Sequence, residues 1–144
     1  MADFEYYIKA GMALRCNSEG LWYLFMGGQV FFLQEEESFW RVLVLLEKPY
    51  EEVREKLEGG FCYLNVVLAG LDSESDYWIG LALSWIEQGG VEVSDVLLAR
   101  LEGLVEGRSA SQKNRHKAWR RQKLSATPDL SGTVLPYVLF RTQR

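Results

Sequence analysis

The chain has 144 residues, 48% of them hydrophobic and 25% charged, which suits one ordinary globular domain burying roughly two-thirds of its unfolded surface. Its two cysteines, Cys16 and Cys62, lie far apart and form no CxxC pair, which excludes a disulfide framework or a zinc knuckle and leaves free thiols, or at most one bridge. The net charge of −4 conceals a split: residues 1–106 hold 19 Asp/Glu against 7 Lys/Arg, a balance of −12, and residues 107–144 hold 1 against 9, a balance of +8.

Such asymmetry marks either an interaction surface or internal compensation, with a basic helix docked on an acidic body. The opening Met-Ala-Asp-Phe-Glu has neither the basic region nor the apolar run of a secretory signal. The longest apolar stretches, Val42–Leu46 and Val66–Ala69, are too short to cross a bilayer. No membrane association and a cytoplasmic location are therefore expected.

The first 33 residues read as β. Phe4–Lys9 and Met12–Cys16 are short apolar runs around Gly11, and Asn17-Ser18-Glu19-Gly20 is a turn sequence. Leu21–Met26 is rich in strand-favouring aromatics, Gly27-Gly28 reads as a hairpin turn, and Gln29–Leu33 as the returning strand. These runs are nearly continuously apolar, so either both faces of the sheet are covered or one is a partner surface.

Residues 34–124 read mainly as helix. Glu35, Glu36 and Glu37 suit a first turn, and Phe39, Val42, Leu43 and Leu46 recur at helical spacing. Pro49 opens a helix that buries Val53 and Leu57, turns Glu51, Glu52, Glu55 and Glu58 outward, and ends with a left-handed cap at Gly59-Gly60. Phe61–Leu71 lacks strand alternation and is read as buried helix. A helix over Asp76–Gln88 is capped by Ser73 or Ser75, stopped by Gly89-Gly90, and given a broad apolar face of Tyr77, Trp78, Leu81, Ala82, Trp85 and Ile86. The next starts at the N-cap Ser94, buries Val96, Leu97, Leu98, Leu101, Leu104 and Val105, and stops at Gly107. A basic helix spans about Ser111–Leu124. Thr127-Pro128-Asp129 and Ser131-Gly132 read as loop, and Thr133–Arg141 as a candidate edge strand. The expected fold is a single α+β domain over residues 1–144, an N-terminal antiparallel β-meander packed on a C-terminal helical bundle.

No catalytic motif is present. His116, the one histidine, has no metal-spaced partners, and with Gln112 and Arg115 suits a structural polar contact better than acid–base work. The glycine pairs make no phosphate-cradling loop. No cofactor, no metal and no enzymatic activity are expected. The basic run Lys113, Arg115, Lys117, Arg120, Arg121 and Lys123 surrounds Trp119. It suits phosphate contacts with base stacking, or a docked helix with Ala118 and Trp119 inside and the cations in solvent. The −12 body favours docking, because it repels a polyanion. The other candidate is acidic: Glu35, Glu36, Glu37, Glu51, Glu52 and Glu55, with Trp40 and Tyr50 among them, fit capture of a basic protein, or simple solubility.

The segments Asp76-Tyr77-Trp78 to Trp85-Ile86-Glu87 and Ser111 to Trp119, about 45 residues in all, resemble the helical part of small uncharacterised bacterial proteins of the toxin-immunity type. The resemblance implies a non-enzymatic inhibitor that binds a toxin domain. The leading expectation is accordingly an immunity- or antitoxin-like protein covering a cationic partner with Glu35, Glu36, Glu37, Trp40, Glu51, Glu52 and Glu55. The alternative is a nucleic-acid-associated accessory protein using Lys113, Arg115, Lys117, Arg120 and Arg121.

Overall fold

The computed structural model describes residues 4–57 and 59–126, with the side chains of residues 125 and 126 left aside. Glu58, the expected loop after residue 126 and the expected strand Thr133–Arg141 lie outside the described residues. The rest is an α+β layout. Strands β1 (Phe4–Lys9), β2 (Met12–Cys16), β3 (Trp22–Met26) and β4 (Gln29–Phe32) form an antiparallel meander in sequence order. Gly27 and Gly28 both adopt positive φ, 60° and 78°, the conformation that a two-residue hairpin loop needs to match strand twist.

The register sorts the strands into two faces. Leu14, Leu24 and Phe31 stand in one row, with Trp22 beside Cys16, and turn towards the helices. Glu5, Arg15, Tyr23 and Phe32 form a row on the other face, beside Tyr7, Ala13, Phe25 and Val30. Only the first face joins the core extensively. On the second, Tyr7 is 66% exposed and Val30 and Phe32 are each 48% exposed.

After the sheet comes η1 (Glu36–Glu47), a 3-10 helix broken by a kink at Val42, where φ is −114° and ψ 22°. The sequence spacing suggested an ordinary helix. The three-residue repeat of a 3-10 helix instead lines up Phe39, Val42 and Leu45, all fully buried. The kink then sets Leu43 and Leu46 inward as well. Five helices follow: α1 (Tyr50–Lys56), α2 (Tyr63–Leu71), α3 (Asp76–Glu87), α4 (Asp95–Glu106) and α5 (Gln112–Ala126).

The caps explain the boundaries. Ser75 Oγ accepts from Trp78 N–H and Ser94 Oγ from Leu97 N–H, satisfying first-turn donors of α3 and α4. Gly89, at φ 81°, closes α3 while Gly90 N–H donates to Trp85 O and Gly89 N–H to Ile86 O, the paired bonds of a left-handed helix stop. The stop expected at Gly59-Gly60 differs: α1 ends earlier, with Leu57 extended and buried as its C-cap.

One hydrophobic cluster runs from Leu14 and Leu24 on the sheet to Leu101 and Ala118 on the last helices. Three expected placements change. Tyr50 is buried, its ring edge-on against Tyr63 and Trp85. Tyr77 is exposed, because its hydroxyl donates to Glu47 Oε2 at 2.6 Å in solvent. Val96 is exposed because Leu97, Leu101 and Leu104 take the i, i+4, i+7 stripe of α4.

Helix α2 is central, packing on η1, α3 and α4. A Cβ on its Gly70 would lie 2.8 Å from Leu46 Cδ1 and 3.0 Å from Ala82 Cβ. Gly70→Val is therefore expected to destabilise the fold by about 1–3 kcal/mol through overpacking, read as a lower urea midpoint with unchanged slope.

Helix α5 docks on α3 and α4. Asp76 Oδ1 accepts from Ser111 N–H at 2.7 Å and from Asn114 Nδ2 at 2.8 Å. A Cβ on Gly80 would come within 3.2 Å of Asn114 Nδ2, so the glycine admits the buried asparagine. The Ser111 N–H, then Asn114, hold the Asp76 carboxyl below its ordinary value. A lowered folded-state value gives stability that is fully present above the unfolded aspartate range, about 3.9, and is lost progressively as pH falls from there through the lower folded-state value. Acidification below about pH 4 should therefore strip hydrogen-exchange protection from α5 before α2, and Asp76→Asn should remove that dependence.

Candidate functional site

Three surfaces stand out among the described residues. The first is a groove of about 500 Å³ between η1, the end of α2 and the start of α3, lined by Glu36, Glu37, Trp40, Leu43, Asp72 and Trp78 among others. Its position follows from the caps. Ser75 turns the chain into α3 beside the groove, and η1 carries Glu36, Glu37 and Trp40 along the opposite wall.

Arg100 reaches in from α4. Its guanidinium donates to both carboxylate oxygens of Glu36, at 2.7 and 3.1 Å, and also to Asp72. This fork geometry is the strong form of an ion pair. The hydrogen bonds from Arg100 hold the Glu36 carboxyl below its usual range. At Asp72 desolvation outweighs Arg100, and the carboxyl is held above its usual range. One guanidinium thus serves two carboxylates unequally, and Glu37 adds a third negative charge beside them. Three carboxylates line the groove, and even with both Arg100 behind it and Arg41 beside Trp40 counted the local balance stays negative.

Aromatic rings complete the walls. Trp40 is 59% exposed, and Arg41 already lies over its ring at 4.8 Å and over Phe31 at 4.0 Å. The Trp40 indole thus accepts a cation within its own chain, as the ring quadrupole allows.

Of the residues expected to act together, Glu36, Glu37 and Trp40 line this groove, whereas Glu35, Glu51, Glu52 and Glu55 do not. Glu51 pairs with Arg54 at 3.1 Å and Glu52 with Lys48 at 3.8 Å, both near the surface. Tyr50, expected among them, is in the core. Sequence reading missed Asp72 and Arg100; Trp78, read as part of the apolar face of α3, does pack half-buried against the core and also lines the groove. Arg100 and Glu36 stand 64 positions apart, and only the fold joins them.

The second surface is the outer side of α5. Asn114 and Ala118 face the core, Arg115 donates to Gly107 O and Arg121 to Ile86 O. Trp119, expected to anchor the helix with Ala118, is instead 43% exposed and stacked on His116, with centroids 5.9 Å apart. The i, i+4, i+7 stripe of Asn114, Ala118 and Arg121 takes the docked side, which leaves position 119 outside. No hydrogen bond among the described residues orients His116. The third surface is the outer sheet face, where Arg15 pairs with Glu5 and lies 4.3 Å from the Phe25 ring centroid.

Among the described residues no group of three or more His, Cys, Asp or Glu side chains could hold a metal ion, and no helix is long and apolar enough to cross a membrane. Cys16 and Cys62 are not joined in a disulfide, and the Cys16 thiol donates to Asn17 O. Comparison with protein-family models, curated proteins and solved structures gives no match for this chain, so geometry alone carries the functional reading.

Arg100 is expected to matter more than the surface pairs. Arg100→Met should destabilise the fold by about 1 kcal/mol, since the pair is only partly shielded. Lys48→Met should stay within about 0.5 kcal/mol of the parent. Urea unfolding of the two variants separates them.

Proposed function

We propose that this chain is a non-enzymatic binding protein of the immunity or antitoxin type, and that it seats cationic side chains of a basic partner protein in the groove of Glu36, Glu37, Asp72, Trp40 and Trp78. The observation that carries this reading is the groove's imbalance: three carboxylates line it, Arg100 pairs with two of them, Glu36 and Asp72, and Glu37 has no ion pair among the described residues, beside the exposed indole of Trp40. An incoming Lys or Arg would supply the missing counter-charge and lie against the Trp40 ring. Such contacts strengthen as water is excluded.

Inhibition on this reading is occlusion. The acidic surface steers the encounter, the aromatic wall anchors it, and the partner's cationic site is covered without chemistry on the inhibitor. Glu36, Glu37 and Asp72 do this work. Glu51, Glu52 and Glu55 contribute only to the long-range field, which salt screens.

The test uses a short arginine-rich peptide as a stand-in for the partner, titrated calorimetrically. Neutralising the groove with Glu36→Gln, Glu37→Gln and Asp72→Asn together should weaken binding about tenfold or more, and Trp40→Ala should weaken it about twofold to thirtyfold. Neutralising Glu51, Glu52 and Glu55 should change it little at physiological salt. Equal losses from both triple variants would reduce the groove to a share of general charge and overturn the proposal.

A further inference from the structure

Helix α5 contains no acidic residue between Gln112 and Ala126. Its docking is achieved by uncharged Asn114 and Ala118 and by Arg115 and Arg121 bonding to backbone carbonyls. Lys113, Lys117 and Arg120 are left at i, i+4 and i+7 with His116 at i+3, so they share one face. None of these three cations forms an ion pair among the described residues. With Gln112, Arg115 and His116 they line a surface depression. Beside that stripe stands the exposed stack of His116 on Trp119, the two rings 21° from parallel.

We infer that the outer face of α5 is a binding surface for single-stranded nucleic acid. Three cations at helical spacing can follow a phosphate backbone. An exposed indole offers a platform for a base, and such stacking tolerates any sequence. Single strands fit better than duplex, because the contact is one helix wide and the rest of the body repels a polyanion. An anionic bilayer fits worse: the exposed side of α5 has only Trp119 and Leu124 as large apolar groups, too little for an interfacial helix. This surface is separate from the acidic groove and does not depend on the role proposed for it.

Fluorescence anisotropy of a labelled oligo(dT) or oligo(U) of about 20 nucleotides tests the inference on the full chain. Three phosphate contacts on a single strand correspond to about 20-fold weaker binding when salt rises from roughly 50 to 200 mM. Lys113→Gln, Lys117→Glu and Arg120→Glu together should abolish binding while moving the thermal midpoint little, because they leave the Asp76, Asn114 and Ala118 contacts of the docked side in place. Trp119→Ala should weaken it about fivefold or more. Absence of binding at low salt overturns the inference. So does binding that survives the triple substitution, or binding to phosphatidylserine vesicles without binding to either oligonucleotide.

Discussion

The helices of this protein meet the sheet through rings rather than through paired backbone. Trp22 on β3 stands edge-on to Phe61, Phe61 to Tyr63, and Tyr50 to both Tyr63 and Trp85, each pair with centroids between 5.1 and 5.5 Å. Edge-to-face contact is the favourable arrangement of two aromatic quadrupoles. The last ring is also fixed by polarity, because Trp85 Nε1 donates to Lys48 O at 2.9 Å. That bond ties the C-terminal half of α3 to the junction between η1 and α1. Gln88 reinforces it, its Oε1 accepting from Tyr50 N–H at 2.7 Å. With α3 set this way, both the groove wall on η1 and the seat of α5 are determined.

The start of α3 serves two surfaces of opposite sign. Ser75 and Trp78 line the acidic groove, while Asp76, between them in sequence, holds α5. The Asp76 carboxylate is engaged chiefly by a backbone N–H and an amide, with Lys113 of α5 adding only a weaker attraction through space. The groove carboxylates are met by Arg100 of α4. Among the described residues no ion pair joins α5 to the groove carboxylates, so each region keeps most of the field that makes it a binding candidate.

Local chemistry made much of this legible. Gly27-Gly28, the caps Ser75 and Ser94, and the stop at Gly89 are written in single residues whose conformational needs are specific, and they appear where the sequence places them. What depended on side-chain direction was harder. Phe39, Val42 and Leu45 fit a three-residue repeat, but Leu43 and Leu46 complete a 3.6-residue one equally well, and the kink at Val42 is needed to bury both sets. Trp119 looks like an anchor beside Ala118, yet a helix can bury only one stripe, and Asn114 with its partner Asp76 decides which. The groove was only half visible: its glutamates and Trp40 are contiguous in sequence, whereas Asp72, Trp78 and Arg100 arrive through tertiary packing, for which no local pattern exists.

The ring seam also has an optical consequence. Indoles and phenols locked edge-on in a fixed chiral arrangement give intense circular dichroism in the near ultraviolet, a signal that vanishes when specific packing melts even if helices survive. Trp22 and Trp85 sit inside the seam, whereas Trp40 and Trp119 stand in solvent. Together with the edge-on pair of Tyr77 and Trp78 on α3, the joint between sheet and helices therefore contributes to the near-ultraviolet spectrum, and loosening of packing there can be followed independently of the backbone signal from the helices themselves.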